Sequence, residues 1–256
     1  LAAIFVDFIC SSSPAIVGYV EKNLGGIVSD AGMIGHGSTS KVYGFSFGGK
    51  DYALKKFHNV ARCEREINIL REISQLGLPV VPEVHFMDFE KRIIAMDRME
   101  EGLWQYLERN ASDEGVKRRM VNEIFNGMTM LHEKKIVHGN IHFENLMVRG
   151  GKLFFVDYCC SYFSDDFTLD IFRLRKRVLS RMRDWEGLVD ADELRNPGAF
   201  RAFKAVFDSN GTAALFWIMD WFDAPDVQNM ICTMLRFTTG LNALISEYRS
   251  KIAPQP

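Results

Sequence analysis

The apolar pattern of this chain changes once along its length, and that change limits the folds it can adopt. Between about residues 27 and 57, apolar and polar residues alternate around glycines, as in GMIGHGSTSKVYGFSFGGKDYALKKF. Such alternation, broken by glycine turns, predicts antiparallel strands. Residues 114–133 and most of the chain after about residue 168 show helical periodicity instead. The sequence therefore predicts an α+β fold with a strand-rich part followed by a helical part.

One helix and two further strands are predicted within the strand-rich part. Residues 61–77 carry apolar side chains at positions 67, 69, 70 and 73 and end at Gly77, which predicts a helix. The stretches PEVHFMDF and RIIAMDRM predict short strands. The predicted domains are an N-terminal extension packed on the fold over 1–26, a small lobe over 27–98 and a helical lobe over 99–256, with a hinge near 97–102.

The composition excludes several classes of protein. With 47% hydrophobic and 25% charged residues among 256, the chain can bury a sizeable core, which excludes disorder. A net charge of -2 gives no basic field for direct binding of nucleic acid or a membrane surface. Five cysteines at no metal-ligand spacing predict a reducing compartment. The opening LAAIFVDFIC is interrupted by Asp7 and lacks a positive leader, so we expect a packed element rather than a signal peptide.

Two motifs in the strand-rich part have the composition of a phosphate site. GHGSTSKV, residues 35–42, alone predicts only a hairpin turn, but its small residues would let backbone amides approach phosphate oxygens. YALK follows, and its Lys55 has apolar neighbours, which sets it apart from the usual solvated strand lysine. The predicted helix offers Glu66, in EREINIL, as a carboxylate partner for this lysine, with Glu64 as its rival.

Two motifs in the second part supply polar groups from a loop and from the end of a strand. IVHGNIHFENLMV, residues 136–148, contains Asn140 and Asn145. FFVDY places Asp157 directly after an apolar strand. Oxygen ligands from Asn145 and Asp157 suit Mg²⁺, which keeps several waters and bridges phosphates.

In this order and at these spacings the motifs resemble those of the protein kinase family. The resemblance implies a bilobal kinase-like fold with a small antiparallel-sheet lobe, one main helix and a mostly helical second lobe. It also implies ATP and Mg²⁺ as cofactors, and a structural role for His138. Met96 would be the gatekeeper, although its type also suits an ordinary core position. The residues implied to hold the nucleotide are Gly35, Gly37, Ser40, Val42, Ala53, Lys55, Met96, Asp97 and Met99.

Residue 140 departs from the kinase pattern, because Asn140 stands where the family has its catalytic aspartate. An amide can orient a hydroxyl but is neutral and cannot take its proton. General-base assistance is typically worth about 10²–10⁴-fold, so we expect slow transfer with ATP and Mg²⁺ binding retained. Three explanations stay open: an engineered inactivating change, a nucleotide-binding pseudokinase scaffold, or a slow enzyme.

Further departures resemble the haspin family. The metal motif reads DYC at 157–159, no A-P-E motif follows, and His142 stands where most serine/threonine kinases have lysine. This position makes His142 a candidate catalytic residue together with Asn140, Lys55 and Glu66. Only residues 158–169, twelve in all, separate Asp157 from the aspartate of TLDIFRLRKRVL, so an ordinary activation segment does not fit. Farther on, AALFWIMDWF at 213–222 is similar to an apolar, tryptophan-containing helix near the end of the haspin domain.

The haspin resemblance implies an enzyme that phosphorylates threonine or serine in a histone tail during cell division. It implies a monomer in the nucleus or on chromosomes, with the cytoplasm as the alternative. In such a domain Asp170 braces the catalytic loop. A basic tail needs acids to receive it, and Asp165 and Asp166 are the candidates.

A second resemblance stays open. The VHG opening of the loop and the short segment after Asp157 are also similar to the small kinase of the KEOPS tRNA-modifying complex, a kinase or ATPase, and to small-molecule phosphotransferases with H-G-D-L-H. Tyr158 and His142 argue against the first of these. The glycine-rich loop and the REINIL helix argue against the second.

Overall fold

The computed structural model describes residues 18–22, 29–182, 184–208 and 241–253. Contacts between Cα atoms divide the chain into two units. The first unit comprises residues up to Ser74 together with Pro82–Met99, and the second comprises Gln75–Val81 and residues from Glu100 onward. An antiparallel sheet dominates the first unit and helices dominate the second, so the predicted α+β, kinase-like fold is confirmed.

The first unit is built on a five-stranded antiparallel sheet. Its strands and its main helix are β1 (Ser29–His36), β2 (Ser40–Phe47), β3 (Lys50–Phe57), α1 (Val60–Gln75), β4 (Val84–Asp88) and β5 (Ile93–Asp97). The strands lie in the order β1-β2-β3-β5-β4. Gly48 and Gly49, with φ of 57° and 76°, form the two-residue turn between β2 and β3, a geometry that glycine adopts without steric cost.

The sheet and α1 enclose the core of the first unit. Leu54 and Ile94 on neighbouring strands are fully buried, as are Cys63 and Ile73 on α1. The helix predicted over 61–77 is observed as Val60–Gln75 and is followed by Gly77 at φ 58°. A left-handed glycine directly after a helix is a common stop, because no Cβ opposes that conformation.

The second unit contains most of the helices and two small sheets. The helices are α2 (Leu103–Arg109), α3 (Glu114–Glu133), α4 (Thr168–Arg177), α5 (Trp185–Leu188), α6 (Pro197–Asp208) and α7 (Leu241–Ile252). The strands are β6 (Glu101–Gly102), β7 (Ile136–Val137), β8 (Leu146–Arg149), β9 (Lys152–Phe155) and β10 (Tyr162–Phe163). Strands β6, β8 and β9 form one sheet, and β7 pairs with β10.

Helix α3 has the bounds that its periodicity predicts. Asp113 caps its first turn, because the carboxylate accepts a hydrogen bond of 3.0 Å from the Val116 amide. Met120 and Ile124 on its buried face are inaccessible to solvent. A Cβ at Gly127 would lie 2.5 Å from the Phe155 ring, so glycine is what lets α3 approach β9 this closely.

Several sequence expectations concern other parts of the chain. Of the proposed extension over 1–26, the structure describes residues 18–22 as helical, with Val20 in the core beside Tyr43 and Phe45. The packed element predicted for LAAIFVDFIC and the helix predicted over 213–222 lie outside the described residues. Within the described ranges, none of the helices combines bilayer-spanning length with sufficient apolar character.

Candidate active site

Lys55 and Glu66 form a buried ion pair in the first unit. The Lys55 ammonium lies 2.7 Å from Glu66 Oε2, and the two residues are 7% and 0% exposed. Strand β3 carries the lysine, and the buried face of α1 carries the glutamate. Glu64 is exposed, so the geometry selects Glu66 as the partner. Desolvation offsets much of the attraction in such a pair, so stability alone is a weak reason for its presence.

The glycine-containing loop of GHGSTS, residues 35–40, joins β1 to β2. These strands belong to the sheet that also carries Lys55. Val42 lies opposite Lys55 in the β2–β3 register and opposite Gly35 in the β1–β2 register. The Gly37 amide donates to the Ser40 carbonyl at 2.8 Å, which closes the turn. Neither Gly35 nor Gly37 has positive φ, and each has room for a Cβ. The unit itself therefore does not require glycine at these two positions, whereas close approach of a ligand to the backbone would.

The predicted adenine-binding residues Met96 and Asp97 are the last two residues of β5, and Met99 lies just beyond the strand. Met96 lies opposite Ala53 on β3 and is half-buried. The Asp97 amide donates to the Glu83 carbonyl at 2.9 Å, so this N–H is committed within the unit. Met99, the last residue of the unit, is buried. Met96 and Asp97 thus flank the strand that carries Lys55.

His85 is a neighbour of this stretch that sequence reasoning missed. It lies at a register shift in β4, and its Nε2 lies 2.8 Å from Asp97 Oδ1. A bulge of this kind redirects a side chain, and the sequence VHFMD carries no sign of it.

In the second unit, Asp170 of α4 holds the catalytic loop. Its carboxylate is fully buried and accepts hydrogen bonds of 2.7 Å from the backbone amides of His138 and Gly139. His132 Nε2 donates a third, of 3.1 Å. Burial acts to raise the pKa of Asp170, but the bond from His132, the neighbouring imidazoles and the Gly139 amide outweigh it and hold the pKa below its usual value. Asp170 is therefore ionised and acts as a charged brace, meaning that its carboxylate holds the backbone of the loop at His138 and Gly139 in place.

The contacts of His138 are those of a structural residue. Its Nε2 donates to the Val156 carbonyl at 3.1 Å, while its Nδ1 accepts from the Asn140 amide at 3.3 Å. Burial lowers the pKa of this imidazole, although the charges of Asp170 and Asp157 act in the opposite direction. The neutral ring therefore ties the loop to the segment that carries Asp157.

Gly139 occupies a position that excludes a side chain. Its φ is 71°, and a Cβ there would lie 2.4 Å from the carbonyl oxygen of Cys160. The Ser161 hydroxyl donates to the His138 carbonyl at 2.8 Å. This hydrogen bond joins the residue before Gly139 to the residue after Cys160. The glycine of the VHG motif is thus required by the close approach of the Cys160 backbone.

Asn140 is fixed by bonds at both its side chain and its backbone. Arg173 Nη1 donates to the Asn140 side-chain oxygen, and Asn145 Nδ2 donates to the Asn140 carbonyl at 2.9 Å. Sequence reasoning did not find Arg173. The available signal was an arginine within the otherwise buried stretch LDIFRL of α4, where a charged side chain needs a partner.

A backbone hydrogen bond joins Asn145, just before β8, to the residue that precedes Asp157. The Val156 amide donates to the Asn145 carbonyl at 3.0 Å, which brings the residue before Asp157 against Asn145. Because Asn145 Nδ2 is used as a donor, its amide oxygen is the atom that could bind a cation. Asp157 has φ 67° and ψ 70°, a left-handed conformation that costs energy in a residue other than glycine. This amide and carboxylate fit a hard cation such as Mg²⁺.

His142 contacts a neighbour within the loop. Its Nδ1 lies 2.6 Å from Glu144 Oε2. The backbone amide of Glu144, together with His142, holds the pKa of that carboxyl below its usual value. The catalytic role predicted for His142 stays a prediction.

The segment between Asp157 and Asp170 is short and attached to its surroundings. Tyr162 and Phe163 pair with Val137 and Ile136 as β10 and β7. Beyond them, the Asp166 carboxylate accepts from the Thr168 amide and hydroxyl at 3.2 and 2.6 Å, which ties the end of the segment to the first residue of α4. These bonds attach the segment to the rest of the unit.

Each unit thus carries part of the machinery of a kinase-type phosphotransferase, and comparison with known proteins agrees. Residues 28–166, just over half of the chain, match the protein kinase domain family. The chain therefore belongs to the protein kinase domain family, which confirms that part of the sequence prediction. The haspin family in particular is not shown and stays a prediction.

Three curated relatives indicate where the similarity lies. The chain is 32% identical over 128 residues to the KEOPS complex subunit Bud32 of Pyrococcus abyssi, covering 48% of this chain and 57% of that protein. It is 26% identical over 145 residues to the putative serine/threonine-protein kinase L673 of Acanthamoeba polyphaga mimivirus, covering 54% and 27%. It is 27% identical over 164 residues to a probable bifunctional tRNA threonylcarbamoyladenosine biosynthesis protein of Methanobrevibacter smithii, covering 58% and 29%. The chain therefore matches between about a quarter and just over half of the length of these relatives.

Proposed function

We propose that the chain is an ATP- and Mg²⁺-dependent kinase that phosphorylates serine or threonine hydroxyls of a protein, with turnover limited by Asn140. The buried Lys55–Glu66 pair carries this proposal. A lysine held at 2.7 Å by a fully buried carboxylate has a fixed position, which is what binding phosphate oxygens requires. The mimivirus relative, named as a putative serine/threonine-protein kinase, supports the choice of acceptor.

The second unit carries the residues proposed to bind the metal and the acceptor. Asn145, through its amide oxygen, and Asp157 would hold Mg²⁺, and the bound metal-nucleotide would supply the phosphoryl group. Asn140 would orient the acceptor hydroxyl by hydrogen bonding. It has no basic atom with which to take the proton, so we expect transfer about 10²–10⁴-fold slower than with a carboxylate at this position.

A second candidate function is that of a small kinase or ATPase within a tRNA-modifying complex. Two of the relatives, the KEOPS subunit and the tRNA threonylcarbamoyladenosine protein, favour it. The short segment 158–169 also favours it, because β10 and the hydrogen bonds from Thr168 to Asp166 hold this segment within the unit instead of leaving a long loop to receive a peptide. In this case the partner is a protein subunit, and ATP hydrolysis needs no hydroxyl acceptor.

The histone tail proposed from the haspin resemblance rests on sequence motifs alone. Asp165 already lies 3.2 Å from the Lys135 ammonium, and Asp166 accepts hydrogen bonds from Thr168. A basic tail at these residues would have to compete with those contacts. The histone acceptor, the nuclear location and the monomeric state therefore remain proposals, and the acceptor assay below separates the first of them from the alternatives.

The test of nucleotide binding uses isothermal titration with Mg-ATP on the parent chain, Lys55→Met and Lys50→Met. Lys50 is an exposed lysine at the start of the same strand, so it is the matched control. We expect Lys55→Met to weaken binding at least about 10-fold, the effect of losing one charged hydrogen bond, while Lys50→Met binds as the parent does. No binding by the parent at millimolar Mg-ATP would contradict the proposal.

The acceptor is tested by labelling with γ-labelled ATP, using the parent and Asn140→Asp. The reactions contain a generic serine/threonine peptide, a histone-tail peptide, or no acceptor. Label in the generic peptide supports the main proposal, and a strong preference for the histone tail supports the haspin-type acceptor. Release of phosphate without any labelled acceptor favours the KEOPS-type alternative.

A further inference from the structure

Arg173 lies on α4, the helix that also carries Asp170, and contacts the residue at the catalytic position. Its side chain is 5% exposed, and Nη1 donates to the side-chain oxygen of Asn140. A guanidinium has donors only, so the atom of the amide that faces it must be the oxygen. The orientation of the Asn140 amide is therefore fixed by chemistry, independent of how nitrogen and oxygen are assigned.

Helix α4 holds three consecutive loop residues from one face. Asp170 accepts from the amides of His138 and Gly139, and Arg173, three residues later and hence on the same side of the helix, donates to Asn140. The Asn140 backbone is fixed as well, because its amide donates to His138 Nδ1 at 3.3 Å and its carbonyl accepts from Asn145. These bonds restrict rotation of the Asn140 side chain and keep its amide oxygen and nitrogen from changing places.

We propose that Arg173 is a positioning residue that determines which chemical group residue 140 presents to the acceptor. In this chain it holds the amide by its oxygen, so the Nδ2 donors are the group left to meet the acceptor oxygen. With a carboxylate at this position, the same guanidinium would donate a charged hydrogen bond to one carboxylate oxygen and leave the other to meet the acceptor. The inference rests on the proposed function for the acceptor, while the contact itself can be tested without turnover.

The direct test is a pKa measurement by carbon NMR. The carboxyl introduced by Asn140→Asp is titrated in that variant and in the double variant Asn140→Asp with Arg173→Gln. An adjacent arginine lowers a carboxyl pKa by about 1–3 units, so we expect the pKa to rise by at least about one unit when Arg173 is removed. The same pKa in both variants would overturn the proposal. This readout needs only folded protein, so it stands even if the kinase function fails.

The second test asks whether Arg173 acts on the acceptor and not on the nucleotide. In the parent background, Arg173→Gln is expected to raise the acceptor KM about 10-fold or more while the Kd for Mg-ATP is unchanged. Arg173→Lys, which keeps the charge and a donor, should restore part of the loss. Arg118→Gln, on an exposed arginine of α3, is the matched control and should change neither value.

The outcomes separate the two proposals. A parent that binds no Mg-ATP, combined with a pKa that depends on Arg173, refutes the proposed function and supports the positioning role. The positioning role is refuted if transfer is normal and the substitution of Arg173 changes neither the acceptor KM nor the pKa of the carboxyl at residue 140. That result leaves the kinase function intact.

Discussion

Asp170→Asn removes one negative charge from the centre of the second unit and changes almost nothing in volume. The carboxylate of Asp170 accepts three hydrogen bonds, two on Oδ2 and one on Oδ1. An asparagine offers one accepting oxygen and one donating nitrogen. If its oxygen takes the Oδ2 place, its nitrogen faces the Gly139 amide, and two donors then point at each other. At least one bond is lost and one buried donor pair is left unsatisfied.

The magnitude follows from these contacts. A hydrogen bond to a charged group is worth about 1.5–3 kcal/mol, and an unsatisfied buried donor costs about 1–3 kcal/mol more. We therefore expect Asp170→Asn to lower the free energy of unfolding by about 2.5–6 kcal/mol, a large share of the roughly 5–15 kcal/mol typical of folded domains. Asp165→Asn is the matched control. Its carboxylate is mostly exposed, and its ion pair with Lys135 lies at the surface, so the change should stay below about 1 kcal/mol.

The assay is urea unfolding, followed by circular dichroism, across a range of pH. The pKa of Asp170 is lower in the folded protein than its usual value. The stability it contributes is therefore present above the unfolded pKa of about 3.9 and is lost as pH falls through the folded value. The difference between parent and Asp170→Asn should be constant from about pH 5 to 8 and shrink only below about pH 4. A variant within about 1 kcal/mol of the parent at pH 7 would refute the charged brace.

Two further substitutions have matched controls in the chain. Gly139→Ala and Gly150→Ala both place a Cβ at positive φ, which costs about 1–2 kcal/mol, but only at Gly139 does that Cβ meet the Cys160 carbonyl, at 2.4 Å. We expect Gly139→Ala to lower the midpoint of thermal unfolding clearly more than Gly150→Ala, and equal losses would be evidence against the close approach. Glu66→Gln should weaken Mg-ATP binding about 10-fold by calorimetry because Lys55 loses its charged partner, whereas Glu64→Gln should not. Equal effects of the two glutamine variants would contradict the assignment of Glu66.

Features that depend on nearby residues could be predicted from the sequence. The bounds of α3 follow from its apolar spacing and the capping Asp113, and the end of α1 follows from Gly77. The alternating strands and the glycine turns gave the antiparallel sheet. Glu66 is preferred over Glu64 because the apolar run after it resembles the kinase helix, and the buried face of α1 agrees with that choice.

Features that depend on distant residues could not be predicted in this way. Arg173 and Asn140 are 33 positions apart, and no periodicity connects a helix residue to a loop residue. The need for glycine at 139 arises from Cys160, which belongs to another segment. Strands β6, β7 and β10 have two residues each, too few to show an alternating pattern. The brace by Asp170 was implied by the family resemblance and not by the residues around it.

The central claim is that this kinase domain binds Mg-ATP and is slow because residue 140 has no base. The most direct measurement compares phosphoryl transfer by the parent chain and by Asn140→Asp at saturating Mg-ATP, with the Kd of each determined separately. We predict Kd values within about twofold of each other and transfer about 10²–10⁴-fold faster in Asn140→Asp. An Asn140→Asp protein that binds Mg-ATP as the parent does, yet transfers phosphate no faster, would contradict the claim.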